Sequence, residues 1–412
     1  MSETFYHNLP NGVQIVHRKT TSPVVYVGIM VGAGTRHELP NENGMAHYIE
    51  HCVFKGTEHY TARQIINHIE GIGGEINAYT TKEETTFYAA TLNNHFRTTL
   101  HLLADMVLHP TFNKRETDKE VTVILDEIES YNDSPSELIY DDFENMVFEG
   151  SSLAMPILGT KKTLRRISKS PNYPLQWMAE HYRPERMVLF VLGNVSTQQV
   201  LSAAERELAP LKPPSRGEAT SPPYREGSGV GLSRTYRRHT HQTHIMLGSH
   251  AYPIGHPKQL TMYLLNNILG GGSMSSRLYL SLREKHGLVY NIDSQAVPLS
   301  DTGYWNIYLA CEPQHKDQCL ELCHKELQTL RDVRLTSSQL QRALRQLEGQ
   351  MAISAENQEN NALAMAKQML YHHRAPAWQE TFAKVKEITA EQLQDVANEV
   401  FATEKIYTLL YD

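Results

Sequence analysis

Apolar and polar positions along the chain fall into short apolar runs alternating with amphipathic stretches. VVYVGIMVGAG (24–34) is β-branched, continuously apolar and ends in glycines, the pattern of a buried strand. TTFYAATLNN (85–94) predicts a second strand and HFRTTLHLLADMVLH (95–109) an amphipathic helix. MVLFVLG (187–193) is a further strand. The later part repeats the order. THIMLGSHAY (243–252) is a strand, LTMYLLNNILGG (260–271) a helix stopped by glycines, GYWNIYLACE (303–312) a strand, and HKDQCLELCHKELQTL (315–330) a helix. Thr389 and Gln392 form a capping box for EQLQDVANEVF (391–401), and IYTLLY (406–411) closes as a strand.

The recurrence predicts a pseudo-duplicated chain of class α+β, because strands and helices mix without strict alternation. PLKPPSRGEATSPPYREGSG (210–229) lacks a hydrophobic period and reads as a linker. The expected organisation is an N-terminal domain 1–209, the linker 210–229 and a related C-terminal domain 230–412. A length of 412 residues agrees with more than one domain.

Composition narrows the function. Lys plus Arg is 39 against 46 for Asp plus Glu, a formal charge of −7, which argues against a generally basic nucleic-acid binder. There is no apolar run long enough to span a membrane. The first residues show no basic-then-apolar leader pattern and four cysteines are too few for a disulfide framework, so a cytoplasmic location is expected. Histidine, at 21, is abundant and directs attention to metal chemistry.

The sharpest local signal is GMAHYIEHCVFKGT (44–57). On a helix, His47, Glu50 and His51 fall within an arc of about 100°. Two imidazoles one turn apart can chelate a zinc ion, and a carboxylate beside an activated water supplies a general base. The order HxxEH inverts the commoner HExxH motif. A third ligand is required. NKRETDKEVTVILDEIESYND (113–133) predicts a helix with Asn113 as N-cap and Val121, Ile124, Leu125 and Ile128 on one face. Glu120 and Glu127, seven apart, stack within about 20° at the border of that face. Carboxylates in that position are usually solvated, and the neighbouring zinc pair reverses the preference.

In these residues the sequence resembles the pitrilysin-type metallopeptidases, the inverzincin family of mitochondrial processing peptidase and insulin-degrading enzyme. The family pattern places a ligand glutamate some 75 residues after HxxEH, and here 75 residues, Cys52 to Asp126, separate His51 from Glu127. The resemblance extends through EHCVFKGT, GGEINAYTTKEETTFYA, HYRPERMVLFVLGNVS, THQTHIMLG and GGGSMSSRLYLSLREKHGLVYNIDS. It implies two related α/β-roll domains, zinc on His47, His51 and Glu127 (one ion per chain), Glu50 as general base and Glu120 in support. It also implies a substrate-binding edge strand at Asn77, Ala78, Tyr79 and Thr80, and an Arg283–Tyr290 pair that holds the substrate carbonyl. The expected function is a zinc-dependent endopeptidase or oligopeptidase acting on short or unfolded peptides. By the resemblance it is a homodimer in which Arg283 and Tyr290 serve the partner's zinc. Two other readings compete: a non-catalytic subunit of the same family, and a zinc hydrolase of small amides.

Other features are set aside. His239, His241 and His244 would not share one face of a strand. His59 and His68 do not continue the motif's helical face, and surface or structural roles are expected for them. Cys319 and Cys323, with His324 adjacent, read as core, as does Cys52. GIGGEIN and LGGGS read as a turn and a helix stop. Arg237 and Arg238 read as a solvated basic pair.

Overall fold

The computed structural model describes residues 4–211, 224, 230–238 and 240–412. Most of the expected linker 210–229, and His239, lie outside these residues. The chain forms two compact units.

The first unit is built on a six-stranded sheet. Its strands are β1 (Thr4–Asn8), β2 (Gln14–Lys19), β3 (Val24–Val31), β4 (Glu75–Thr80), β5 (Thr85–Leu92) and β6 (Met187–Gly193), in the order β1-β2-β6-β3-β5-β4. β6, every residue of which is buried, pairs parallel with β2 and antiparallel with β3. β4 lies at the edge and pairs with β5 alone. The helices that matter for the site are α1 (Met45–Val53), α2 (Ala62–Glu70), α3 (Phe96–Leu108) and α4 (Lys114–Asn132). Apolar positions of α1 and α3, among them Met45, Ile49, Leu100 and Leu103, join Ile15, Val27, Ile29 and Leu189 of the sheet in one core.

The second unit carries β7 (Ser233–Tyr236), β8 (Thr243–His250), β9 (Val289–Pro298), β10 (Gly303–Cys311) and β11 (Tyr407–Tyr411), in the order β7-β11-β8-β10-β9. The final strand, β11, is inserted between β7 (parallel) and β8 (antiparallel), as β6 is between β2 and β3 in the first sheet. The edge positions of β4 and β9 correspond. The duplication expected from periodicity is therefore present as a repeated strand order, and the class is α+β with two related mixed sheets.

The two units exchange segments. Ser130–Ala154 belongs to the second and Ser354–Pro376 to the first, so neither unit is one continuous stretch. Side-chain packing explains it. Helix α5 (Pro135–Val147) buries Ile139, Phe143 and Met146 against Met246, Leu409 and Tyr411. Helix Gln358–His372 buries Ala362, Met365, Ala366 and Met369 against Val16, Met30, Val188 and Phe190 of the first sheet. Both helices have the amphipathic pattern of a sheet-covering element, and periodicity does not say which sheet.

The features set aside mostly resolve as structure. Cys52, Cys319 and Cys323 are buried among apolar neighbours. His241 precedes β8, while His244 lies within it and is 2.9 Å from the Tyr308 hydroxyl through Nδ1. Arg238 is paired with Asp142 at 3.1 Å and sits over the Tyr411 ring.

Candidate metal centre

Helix α1 is buried nearly all round; only Glu50 and His51 are half-buried, both turned toward the site. It begins at Gly44, whose φ of 91° is in the left-handed region. A side chain there would place its Cβ 2.8 Å from Gly159 Cα. No N-cap side chain satisfies the first turn. Glu38 does so instead, accepting from the Gly44 and Ala46 amides at 2.8 Å each and from Asn43 Nδ2 at 3.2 Å. Burial pushes the Glu38 carboxyl up to about 8 against the pull of these donors.

His47 and His51 lie one turn apart with ring centroids 4.6 Å apart. Glu127 of α4 approaches both: its Oε2 is 3.8 Å from His47 Nε2 and 3.6 Å from His51 Nε2. Among the described residues these three form the one group of three or more candidate ligands whose donor atoms all lie within 4.8 Å of one another. The separations are longer than hydrogen bonds. Ligand atoms placed tetrahedrally at zinc-bond length are about 3.4 Å apart, so the donor set suits a divalent ion. Burial, with a smaller contribution from His51, holds His47 down at about 3, which keeps its imidazole neutral and able to donate a lone pair.

Of these donors, His51 is oriented by a neighbouring carboxylate. Glu120 Oε2 lies 3.2 Å from His51 Nδ1. With the Nδ1 proton engaged there, Nε2 is left as the free donor. Lys55 Nζ meets the other Glu120 oxygen at 2.7 Å and balances its charge. The N-cap role expected for Asn113 is met: its side chain accepts from the Arg115 amide at 3.0 Å. Glu50 is fixed by the Thr80 hydroxyl, which donates to its Oε2 at 2.7 Å. Burial raises the Glu50 carboxyl, opposed by the Thr80 bond.

Asn77, Ala78, Tyr79 and Thr80 all lie on β4, at the unpaired edge of the first sheet. The turn after β4 is locked by buried charge. Arg36 meets Glu83 at 2.6 Å, and Glu84 accepts from Lys367 at 2.7 Å and from Tyr371 at 2.6 Å. Arg283 and Tyr290 belong to the second unit. The Arg283 guanidinium lies 5.0 Å from the Tyr290 ring centre, and Tyr290, on the edge strand β9, is 81% exposed. Sequence reasoning thus placed together His47, Glu50, His51, Glu120, Glu127 and Thr80. It assigned no role to Glu38, which carries no motif, or to Lys55, which lies in the quoted EHCVFKGT stretch but is brought to Glu120 only by where the end of α1 comes to rest.

Residues 14–161 match the family model described as insulinase (peptidase family M16), and residues 175–347 match the peptidase M16 inactive domain. An uncharacterized zinc protease, YmxG, of Bacillus subtilis is 33% identical over 401 residues, covering 97% of this chain and 96% of that protein. The mitochondrial-processing peptidase subunit beta of Bos taurus is 26% identical over 401 residues, covering 96% of this chain and 81% of that one. The crystal structure of a protease from Helicobacter pylori shares the fold with a TM-score of 0.92 at 20% identity, covering 100% of both chains. Both parts of the chain are matched and the zinc-protease relatives align along nearly its whole length: the chain belongs to peptidase family M16.

Proposed function

We propose that this protein is a zinc endopeptidase or oligopeptidase that cleaves short or unfolded peptides, with one zinc per chain held by His47, His51 and Glu127. The observation that carries the reading is the placement of Glu50. It is on the same helix as the two histidines, and Thr80, from the strand edge where a peptide would lie, holds one of its oxygens. Zinc, when bound, supplies a Lewis acid that acidifies water and polarises a carbonyl. Glu50 takes the proton from the attacking water and returns it to the departing amine, the work of a general base and then acid. Thr80 fixes its rotamer, and burial favours its protonated form midway through the cycle. Glu120 and Lys55 hold His51 in position. The free edge of β4 offers main-chain hydrogen bonds that do not depend on side-chain identity, so peptides are preferred over small amides and sequence selectivity is broad.

Arg283 and Tyr290 are proposed to bind the scissile carbonyl, each serving the zinc of the other subunit of a homodimer. One assay tests both levels. A quenched unstructured peptide is incubated with the wild type, Glu50→Gln, Tyr290→Phe and a mixture of the two variants. The expected result is chelator-sensitive cleavage by the wild type, strong loss in each variant, and recovery in the mixture as hybrid dimers regain one intact site. Full activity in Glu50→Gln overturns the mechanism, and a mixture as inactive as its components overturns the sharing.

A further inference from the structure

A second histidine pair lies apart from the HxxEH motif, where the loop leaving α1 meets the loop leading into α4. His59 follows α1, and His109 ends α3. Their rings sit 5.6 Å apart between centroids and nearly perpendicular, at 89°. Both side chains are exposed. The backbone beneath them is pinned: Thr57 and Pro110 form an antiparallel bridge, the Glu58 amide donates to the His109 carbonyl at 2.9 Å, and the Thr111 amide donates to the Gly56 carbonyl at 3.2 Å.

His59 is oriented by a buried acid. Asp105, 4% exposed, places Oδ1 at 2.5 Å from His59 Nδ1, and its Oδ2 accepts from the Thr57 hydroxyl. Thr57 Oγ1 in turn accepts from the His59 and Tyr60 amides at 3.1 and 2.9 Å. With the Nδ1 proton directed at Asp105, the lone pair of His59 is on Nε2, away from the acid. A carboxylate that orients an imidazole in this way is the usual outer partner of a histidine metal ligand. The spacing agrees. Two imidazoles that share one ion at a tetrahedral angle have ring centroids about 5 Å apart, given nitrogen–metal bonds near 2.0–2.1 Å.

We infer that His59 and His109 form a second, peripheral site for a borderline divalent cation of the zinc, nickel or copper class. Water would complete its coordination, since two protein ligands leave positions open. Such a site is weaker than the three-ligand centre. It joins the segment that leaves the helix carrying His47 and His51 to the segment that leads into the helix carrying Glu127, so its occupation ties together the two elements that supply the primary ligands.

Equilibrium dialysis against zinc, with metal counted per chain, tests this in the full-length protein. The wild type is expected to bind one tight equivalent and a second, weaker one. His109→Ala and His59→Ala should each lose the weak equivalent and keep the tight one. Asp105→Asn should weaken only the second, by about 10- to 100-fold. The His109→Ala result stands whether or not Asp105→Asn folds, because the hydrogen bonds that tie His109 to Asp105 and Glu58 are main-chain and survive loss of the imidazole. A single equivalent in the wild type up to millimolar zinc, or a weak equivalent that persists in both histidine variants, overturns the assignment and leaves the His59–Asp105 pair as a loop latch.

Discussion

At the scale of single residues, His51 among the ligands and Glu50 beside them are each held by an identifiable neighbour. His51 is the clearest case, because its orientation depends on Glu120, which is itself neutralised by Lys55. Glu120→Gln preserves shape but removes the charge that favours a donating Nδ1–H and leaves Lys55 unpaired. We expect zinc affinity to fall by about 10- to 100-fold with the fold retained; competition against a chromophoric chelator measures it, and unchanged affinity would show that Glu120 is a passive neighbour. Helix periodicity made it legible that His47, Glu50 and His51 share a face and that Glu120 and Glu127 stack; the roles of Glu127 and Glu120 beside the histidines came from the resemblance to the family pattern. Glu38 and Lys55 were not legible, because their roles depend on where a loop and a helix end come to rest, and no local spacing encodes that.

At the scale of elements, α1 is constrained more tightly than its length suggests. It starts at a left-handed glycine pressed against Gly159, and its first amides are satisfied by Glu38 rather than by a cap residue. Gly44→Ala adds both the unfavourable φ and the contact at 2.8 Å. Strain of this kind costs about 1–3 kcal/mol. Denaturant unfolding should show a loss in that range, with weaker zinc retention because His47 shifts with the helix start. A variant as stable as the wild type would mean that the Gly44 turn relaxes freely. Strands β3, β6, β8 and β10 and helix α3 were readable from their apolar runs. The destinations of α5 and helix Gln358–His372 were not: an amphipathic face reports that something will cover it, not which sheet.

At the scale of the whole molecule, stability is tied to pH by buried imidazoles outside the proposed ligand set. Burial, aided by nearby cations, holds His17 at about 4, His37 at about 3 and His181 at about 4. His37 Nδ1 also accepts from the Gly34 amide at 3.1 Å, a bond that protonation removes. A depressed folded-state value means that the native form binds fewer protons than the unfolded chain below the ordinary histidine range. The stabilisation is complete above about pH 6.5 and is lost as pH falls toward 4. Glu38, raised to about 8, works in the opposite sense, and the three imidazoles outnumber it. Unfolding midpoints measured in denaturant from pH 7 to 4.5 should therefore fall steadily, with a shallower slope in His181→Gln. A flat profile would contradict this balance. The repeated strand order belongs to the same scale: periodicity suggested two related halves, and the exchange of 130–154 and 354–376 between units became visible only with the packing.

The central claim is that two imidazoles of α1 and the Glu127 carboxylate hold one zinc. Metal analysis of the purified protein after exhaustive dialysis tests it most directly, with Glu127→Ala and Glu50→Gln prepared in parallel. The account predicts one tightly held zinc per chain in the wild type and in Glu50→Gln, and its loss in Glu127→Ala. Tight zinc retained at full stoichiometry without Glu127, or none in a folded wild-type protein supplied with zinc, would contradict it.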